Sequence, residues 1–165
     1  MVRETDREAA EKGPDHPGVV APPPVIFLGF LALGLGLEWA WPTTLRIDPV
    51  FRIALAAGLL GIAGFLGVAG IRAFRRAGTN VPPHKPALAI VSDGPFRYSR
   101  NPLYLGLSLI LAGLALGLDS LWVLAMLAPA LIVIRHGVIA REERYLEAKF
   151  GDQYRQYKAR VRRWL

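Results

Sequence analysis

The sequence predicts an all-α protein, a polytopic membrane bundle of about four transmembrane helices followed by an amphipathic helix at the C-terminus. Three observations predict it. Apolar residues make up 53% of the chain and gather in blocks of spanning length instead of being spread at helical or strand period. The basic residues outside those blocks fall on alternate connections. The last thirty or so residues change to a charged pattern with apolar residues every third or fourth position.

Residues 1–18 are polar and charged, beginning Met-Val-Arg-Glu-Thr-Asp-Arg-Glu, and residues 1–23 run into the Pro22-Pro23-Pro24 stretch. They hold no apolar stretch of the kind a signal peptide needs. They read as a disordered cytoplasmic tail ahead of an embedded domain over residues 24–165.

The first apolar block, Val25 to Trp41, is just long enough to span, and Trp39 and Trp41 suit an interface belt. The second, Val50 to Ile71, qualifies outright. It carries Gly58, Gly61, Gly64, Gly67 and Gly70, which wind around the helix and predict close approach by more than one neighbour. The third, Leu103 to Leu118, and the fourth, from Leu121 to Ile134 with Gly137 to Ala140 beyond Arg135-His136, are shorter. Asp119-Ser120 alone separates them, which predicts a tight helical hairpin. In lipid every backbone polar group needs an internal partner, so helices are the assignment.

Sorted by connection, the tail, the Arg72–Asn101 loop and the C-terminal part hold nearly all lysines and arginines. With four spans these lie on one side. The positive-inside rule makes that side the cytoplasm, with both termini there, and a bacterial inner membrane is consistent with it. Beyond Arg141, the residues Leu146, Phe150, Tyr154, Tyr157 and Val161 share one helical face, and Gly151 is placed to bend or split that helix.

Composition excludes several chemistries. With no cysteine there is no disulfide, thiolate metal site or cysteine nucleophile, and His16, His84 and His136 have no metal-ligand spacing. The net charge of +7 flanks apolar blocks, so it speaks for membrane topology and not for nucleic acid.

Two segments remain that carry chemistry. The Arg72–Asn101 loop is long for a connector and ends in a Gly94-Pro95 turn, the aromatics Phe96, Tyr98 and Tyr104, and Arg97 and Arg100. Asn101-Pro102 has the form of a helix start, with Asn as N-cap and Pro at the first helical position. Just past the fourth block stands Glu142-Glu143, with Arg141 and Arg144 beside it. Carboxylates facing an aromatic-rich loop can hold a cation, through cation–π attraction and a charge-assisted hydrogen bond.

The string from Gly94 to Gly106 resembles the signature of the isoprenylcysteine carboxyl methyltransferase family, which includes phospholipid methyltransferase-like proteins. Its pattern is Gly-x-[Tyr/Phe]-x-x-x-Arg-His-Pro-x-Tyr. A second element, Glu-Glu followed by Leu, Phe-Gly and Tyr-x-x-Tyr, is matched by Glu142-Glu143, Leu146, Phe150-Gly151, Tyr154 and Tyr157. The resemblance covers about residues 50 to 163.

It implies S-adenosyl-L-methionine as methyl donor and a lipid or other membrane-soluble acceptor, methylated on a carboxyl or an amine. The donor would lie against Leu88, Ala89, Ile90 and Val91, beside Phe96, Tyr98 and Arg100, and against Asn101, Pro102 and Tyr104. Glu142 would hold its ammonium or ribose. Asn101, Tyr104, Glu142 and Glu143 are the candidate catalytic residues, and Arg135 and Arg141 the candidate substrate ligands.

Two departures stand out. Asn101 replaces the family histidine, and the position four before Glu142, where prenylcysteine enzymes use arginine, is Val138. A non-catalytic membrane scaffold or lipid-binding protein, and a sterol-reductase-like enzyme using NADPH, stay open as alternatives.

Overall fold

The computed structural model describes residues 15–82 and 85–165. Its helices are α1 (Pro23–Ala40), α2 (Pro49–Arg76), α3 (Pro102–Gly117), α4 (Leu121–Ala125), α5 (Leu127–Val133), α6 (Ala140–Phe150) and α7 (Asp152–Arg160). A 3₁₀ turn over Gly94–Arg97 precedes α3, and a π-helical turn over Ile134–Ile139 joins α5 to α6. No strand occurs among the described residues. Of the predicted tail, residues 1–14 lie outside the described residues. Residues 15–22 do not form a free tail: they are laid along α6 by an ion pair and backbone bonds.

Three helical stretches are long and apolar enough to cross a membrane: Pro23–Ala40, Pro49–Arg76 and the continuous run Leu121–Phe150. Their outward surfaces are apolar, with Leu28, Leu33, Phe51, Ile62, Phe65 and Val68 exposed, as expected of lipid-facing helices. The expected fourth span, α3, has 16 residues. At 1.5 Å per residue it is about 24 Å long, short of a bilayer core of about 30 Å. It begins late because Ser99, Asn101 and Pro102, all buried, are used within the bundle.

α3 is the central helix, packed along α2 on one side and against α1 and α4 on another. The close approach between α2 and α3 comes from glycines of α3. A Cβ added at Gly106 would lie 3.4 Å from the Ala63 carbonyl oxygen, and one at Gly113 would lie 2.9 Å from Leu60 Cγ. This corrects the expectation for α2. Gly58, Gly61, Gly64 and Gly67 face open space, and only Gly70 of that series meets a neighbour, Leu103. A three-residue repeat rotates around the helix, so most of its members point away from a partner that touches one face.

The main core joins Phe27 of α1, Leu111 and Ala115 of α3, Val123, Ala130, and Ile134, Val138 and Ile139 of the π turn. At one end of the bundle the α1–α2 connection is tied to the α3–α4 turn. Glu38 accepts from Thr43 and Ser120, Asp119 accepts from Leu45 N at 3.0 Å, and Arg52 donates to the Leu116 carbonyl. Ser120 also caps α4 through Val123 N at 3.2 Å, closing the predicted hairpin. At the opposite end lie the long loop, α6 and α7.

Candidate active site

The opposite end encloses a cavity of about 410 Å³, within the range of roughly 300 to 1,000 Å³ that small-molecule and cofactor sites occupy. Its walls come from four stretches distant in sequence: the strap before α1, the loop from Thr79 to Val91, the start of α3, and α6 with α7.

The loop is held by its own polar groups. Thr79 Oγ1 accepts from Leu88 N at 2.8 Å, and Asn80 Nδ2 donates to the Pro86 carbonyl at 2.9 Å. Val91 and Phe96 then tuck against Ala73, with Phe74 edge-on to Phe96 at 5.3 Å between ring centres. Gly94, at φ +56°, makes the reversal that lets the 3₁₀ turn start. Asp93 accepts from Arg76 at 2.8 Å, fixing that turn to the end of α2.

The two adjacent glutamates have different partners. Glu143 is buried, 8% exposed, and takes Arg163 in a fork, Nε at 3.0 Å and Nη2 at 2.7 Å. Arg100 Nη1 stands 3.1 Å from the same carboxylate as a charge contact; it and Nε make no hydrogen bond. Glu142 has no cationic partner among the described residues. Its Oε1 accepts from the Tyr104 hydroxyl at 2.6 Å, and both residues line the cavity. One carboxylate is thus neutralised by structure and the other is left to a ligand or a proton.

α7 seals the floor. Gly151, at φ +52°, breaks the amphipathic stretch into α6 and α7. The turn sends Tyr154 and Tyr157 inward, where they are 2% and 6% exposed, so α7 folds back over the bundle and walls the cavity. Tyr157 donates to the Phe96 carbonyl at 2.9 Å. Burial pushes the Tyr154 hydroxyl up to about 12, with the Glu143 charge adding to it, and burial raises Tyr157 as well. Both are neutral hydrogen-bonding groups at ordinary pH.

Of the residues expected at the site, Ala89, Ile90, Val91, Phe96, Arg100, Asn101, Pro102, Tyr104, Glu142 and Glu143 all line the cavity. Leu88 and Tyr98 do not; they are 63% and 76% exposed on the outer surface. Arg135 and Arg141, expected to grip substrate, are exposed and outside the cavity, and Arg141 donates instead to the Gly18 carbonyl at 2.7 Å.

Asn101 also departs from expectation. It precedes α3 but makes no side-chain cap; its Nδ2 donates to the Arg163 carbonyl at 2.8 Å. With Ser99 Oγ on the same carbonyl and Arg100 N on the Arg162 carbonyl at 2.9 Å, it docks the C-terminal segment onto the start of α3. The sequence reading also passed over Tyr145, one helical turn beyond Glu142. Its hydroxyl accepts from Ala87 N at 3.1 Å and donates to Asp15 at 2.7 Å, joining the loop to the strap. The i, i+3 spacing from Glu142 was the available signal.

The chain is thus a helical bundle with three helical stretches of membrane-spanning length and apolarity, and one end holds a cavity lined by a carboxylate without a cationic partner among the described residues. A family model described as phospholipid methyltransferase matches residues 51–153, and the chain belongs to that family. An uncharacterized protein of Haemophilus influenzae (strain ATCC 51907 / DSM 11121 / KW20 / Rd) is similar to it, 49% identical over 63 residues, which are 38% of this chain and all of that protein. No solved structure matches the chain.

Proposed function

We infer that the protein is an S-adenosyl-L-methionine-dependent methyltransferase of the cytoplasmic membrane, acting on a lipid or membrane-soluble amine. The observation that carries this reading is Glu142, a cavity carboxylate bonded to Tyr104 and left without a cation.

The residues fit such a donor. It is cationic at its sulfonium and at its ammonium, and Glu142 is the cavity's available anion, Glu143 being neutralised by Arg163 and Arg100. Apolar walls from Phe74, Val91, Phe96, Leu103 and Leu107 suit the rest of the molecule and exclude water. When bound, the donor supplies a methyl group already activated by its sulfur, so the protein's task is alignment.

An amine acceptor must lose a proton, which Glu142 can take directly or through Tyr104. A carboxylate acceptor would instead need a cation. Arg135 and Arg141 lie outside the cavity, but Lys85 and Arg100 line it, and Arg100 shares the single Glu143 carboxylate with Arg163. The amine reading therefore rests on Glu142 as proton acceptor. We further propose four spans, with α3 as the short one, and both termini on the cytoplasmic side with the basic loop.

The test is calorimetry with S-adenosyl-L-methionine and NADPH on detergent-purified protein, repeated on Glu142→Gln and Glu147→Gln. Glu147 pairs with Lys158 at 3.0 Å outside the cavity and serves as the control. Losing a charge-assisted hydrogen bond of about 1.5 to 3 kcal/mol should weaken donor binding roughly ten- to hundredfold in Glu142→Gln. If Glu142 serves only as the proton acceptor, affinity holds and kcat with an amine lipid falls. Identical affinity and turnover in the two variants, or binding of NADPH alone, sinks the reading.

A further inference from the structure

Residues 15–22 lie outside the stretch that the family model matches, yet they hold three fixed points on the helix that carries Glu142. Asp15 receives Lys149 Nζ at 2.6 Å and the Tyr145 hydroxyl at 2.7 Å. The Gly18 carbonyl receives Arg141 at 2.7 Å. Val20 N donates to the Gly137 carbonyl at 3.1 Å.

The third point falls at the polar break Arg135-His136-Gly137 in an otherwise apolar helix. A π-helical turn disturbs the regular carbonyl ladder, and such turns recur at functional sites. Here the Gly137 carbonyl is turned to the strap. Gly137 also lets the strap come close, since an added Cβ would stand 3.1 Å from Val20 Cγ2.

On its inner side the strap contributes Pro17 and Pro22 to the cavity wall. Its anchor Tyr145 is the residue that also holds Ala87 of the facing loop. Two walls therefore share one fastening. Val19 packs against the main core, whereas Asp15, His16 and Gly18 are exposed and held by polar contacts. Segments secured in this way open at low free-energy cost.

The geometry points to the strap as a latched cover of the cavity, whose release from Lys149, Tyr145 and Arg141 admits and discharges the ligand. It rests on the reading above only in taking the cavity to be the ligand's.

The absence of native cysteine makes the cover measurable. Val91 lines the cavity and is 6% exposed, so the thiol of Val91→Cys reacts with a charged maleimide faster when the cavity widens. Thr44→Cys, exposed at the other end of the bundle, is the control. Adding Asp15→Ala should speed labelling of Val91→Cys about two- to fivefold, as expected for loss of a surface ion pair. Gly137→Ala should speed it independently, by crowding Val20. Neither change should alter labelling at Thr44→Cys. An unchanged rate at Val91→Cys in both backgrounds, or equal acceleration at Thr44→Cys, overturns the cover.

S-adenosyl-L-methionine added to the parent Val91→Cys protein separates the two claims. Protection supports the donor reading. Without protection, but with acceleration by the strap variants, the cover stands and the donor reading falls.

Discussion

At the scale of single residues, chemical type and actual partner come apart most clearly at Asn101. As an N-cap it would be replaceable by Asp, since the two cap equally well. The amide instead donates to the Arg163 carbonyl, and a carboxylate there can only accept. Asn101→Asp should therefore release the C-terminal segment and lower stability by about 1 to 3 kcal/mol, the cost of an unmet buried carbonyl next to a new charge. Asn101→His, which restores the residue type of the resembled family, keeps an N–H donor and should be tolerated. Melting temperatures of the two variants in detergent decide it; if Asp melts with the parent and His does not, the docking role is wrong. Glu142 and Glu143 teach the same point from the other side. Adjacent and identical in sequence, they differ because Arg163, twenty positions on, returns to one of them.

At the scale of elements, small residues acted where a partner helix was present. Gly106 and Gly113 of α3 admit α2, while Gly58 and Gly61 of α2 face outward. Gly106→Val should force the pair apart and cost about 1 to 3 kcal/mol, as overpacking does. Gly58→Val should be neutral or mildly stabilising, because glycine is a poor helix former. Thermal denaturation of both in one detergent checks the contrast, and equal losses would mean that the α2 glycines do pack. The three long apolar helices were legible, since a block such as Val50 to Ile71 is apolar at spanning length whatever it touches. The choice of packing face was not, because the α2 repeat looks alike from every side until α3 is in place.

For the whole molecule, the proposed topology rests on charge. The basic loop, the strap, α6 and α7 gather at one end and the Glu38–Ser120–Asp119 network at the other. In membrane vesicles, a cysteine at Thr79 should label from the same side as one at Lys158, and one at Thr44 from the opposite side. Thr44 and Thr79 labelling from one side would refute the arrangement. The cavity was legible where a motif names its own residues, as with Phe96, Pro102, Tyr104 and Glu142. The strap was not. Asp15 and Lys149 meet across a separation of 134 positions, and no periodicity in Asp15 to Pro22 announces the meeting.

The π turn over Ile134–Ile139 has one more consequence, which concerns phase. A helix advances about 100° per residue, so one extra residue accommodated in a single wide turn rotates everything after it relative to everything before. The core face of α4 and α5 and the cavity face of α6 are set against each other by that offset. Deleting one residue within 134–139 removes that extra residue, so the helix should close to regular α geometry with Glu142 still facing Tyr104, whereas inserting one residue into the regular turns of α5 should rotate Glu142 about 100° away. Both proteins should keep their helical content by circular dichroism, and only the lengthened one should lose donor binding. The wide turn thus acts as the angular setting that brings Glu142 to Tyr104, where a regular helix of the same sequence would bring Arg141.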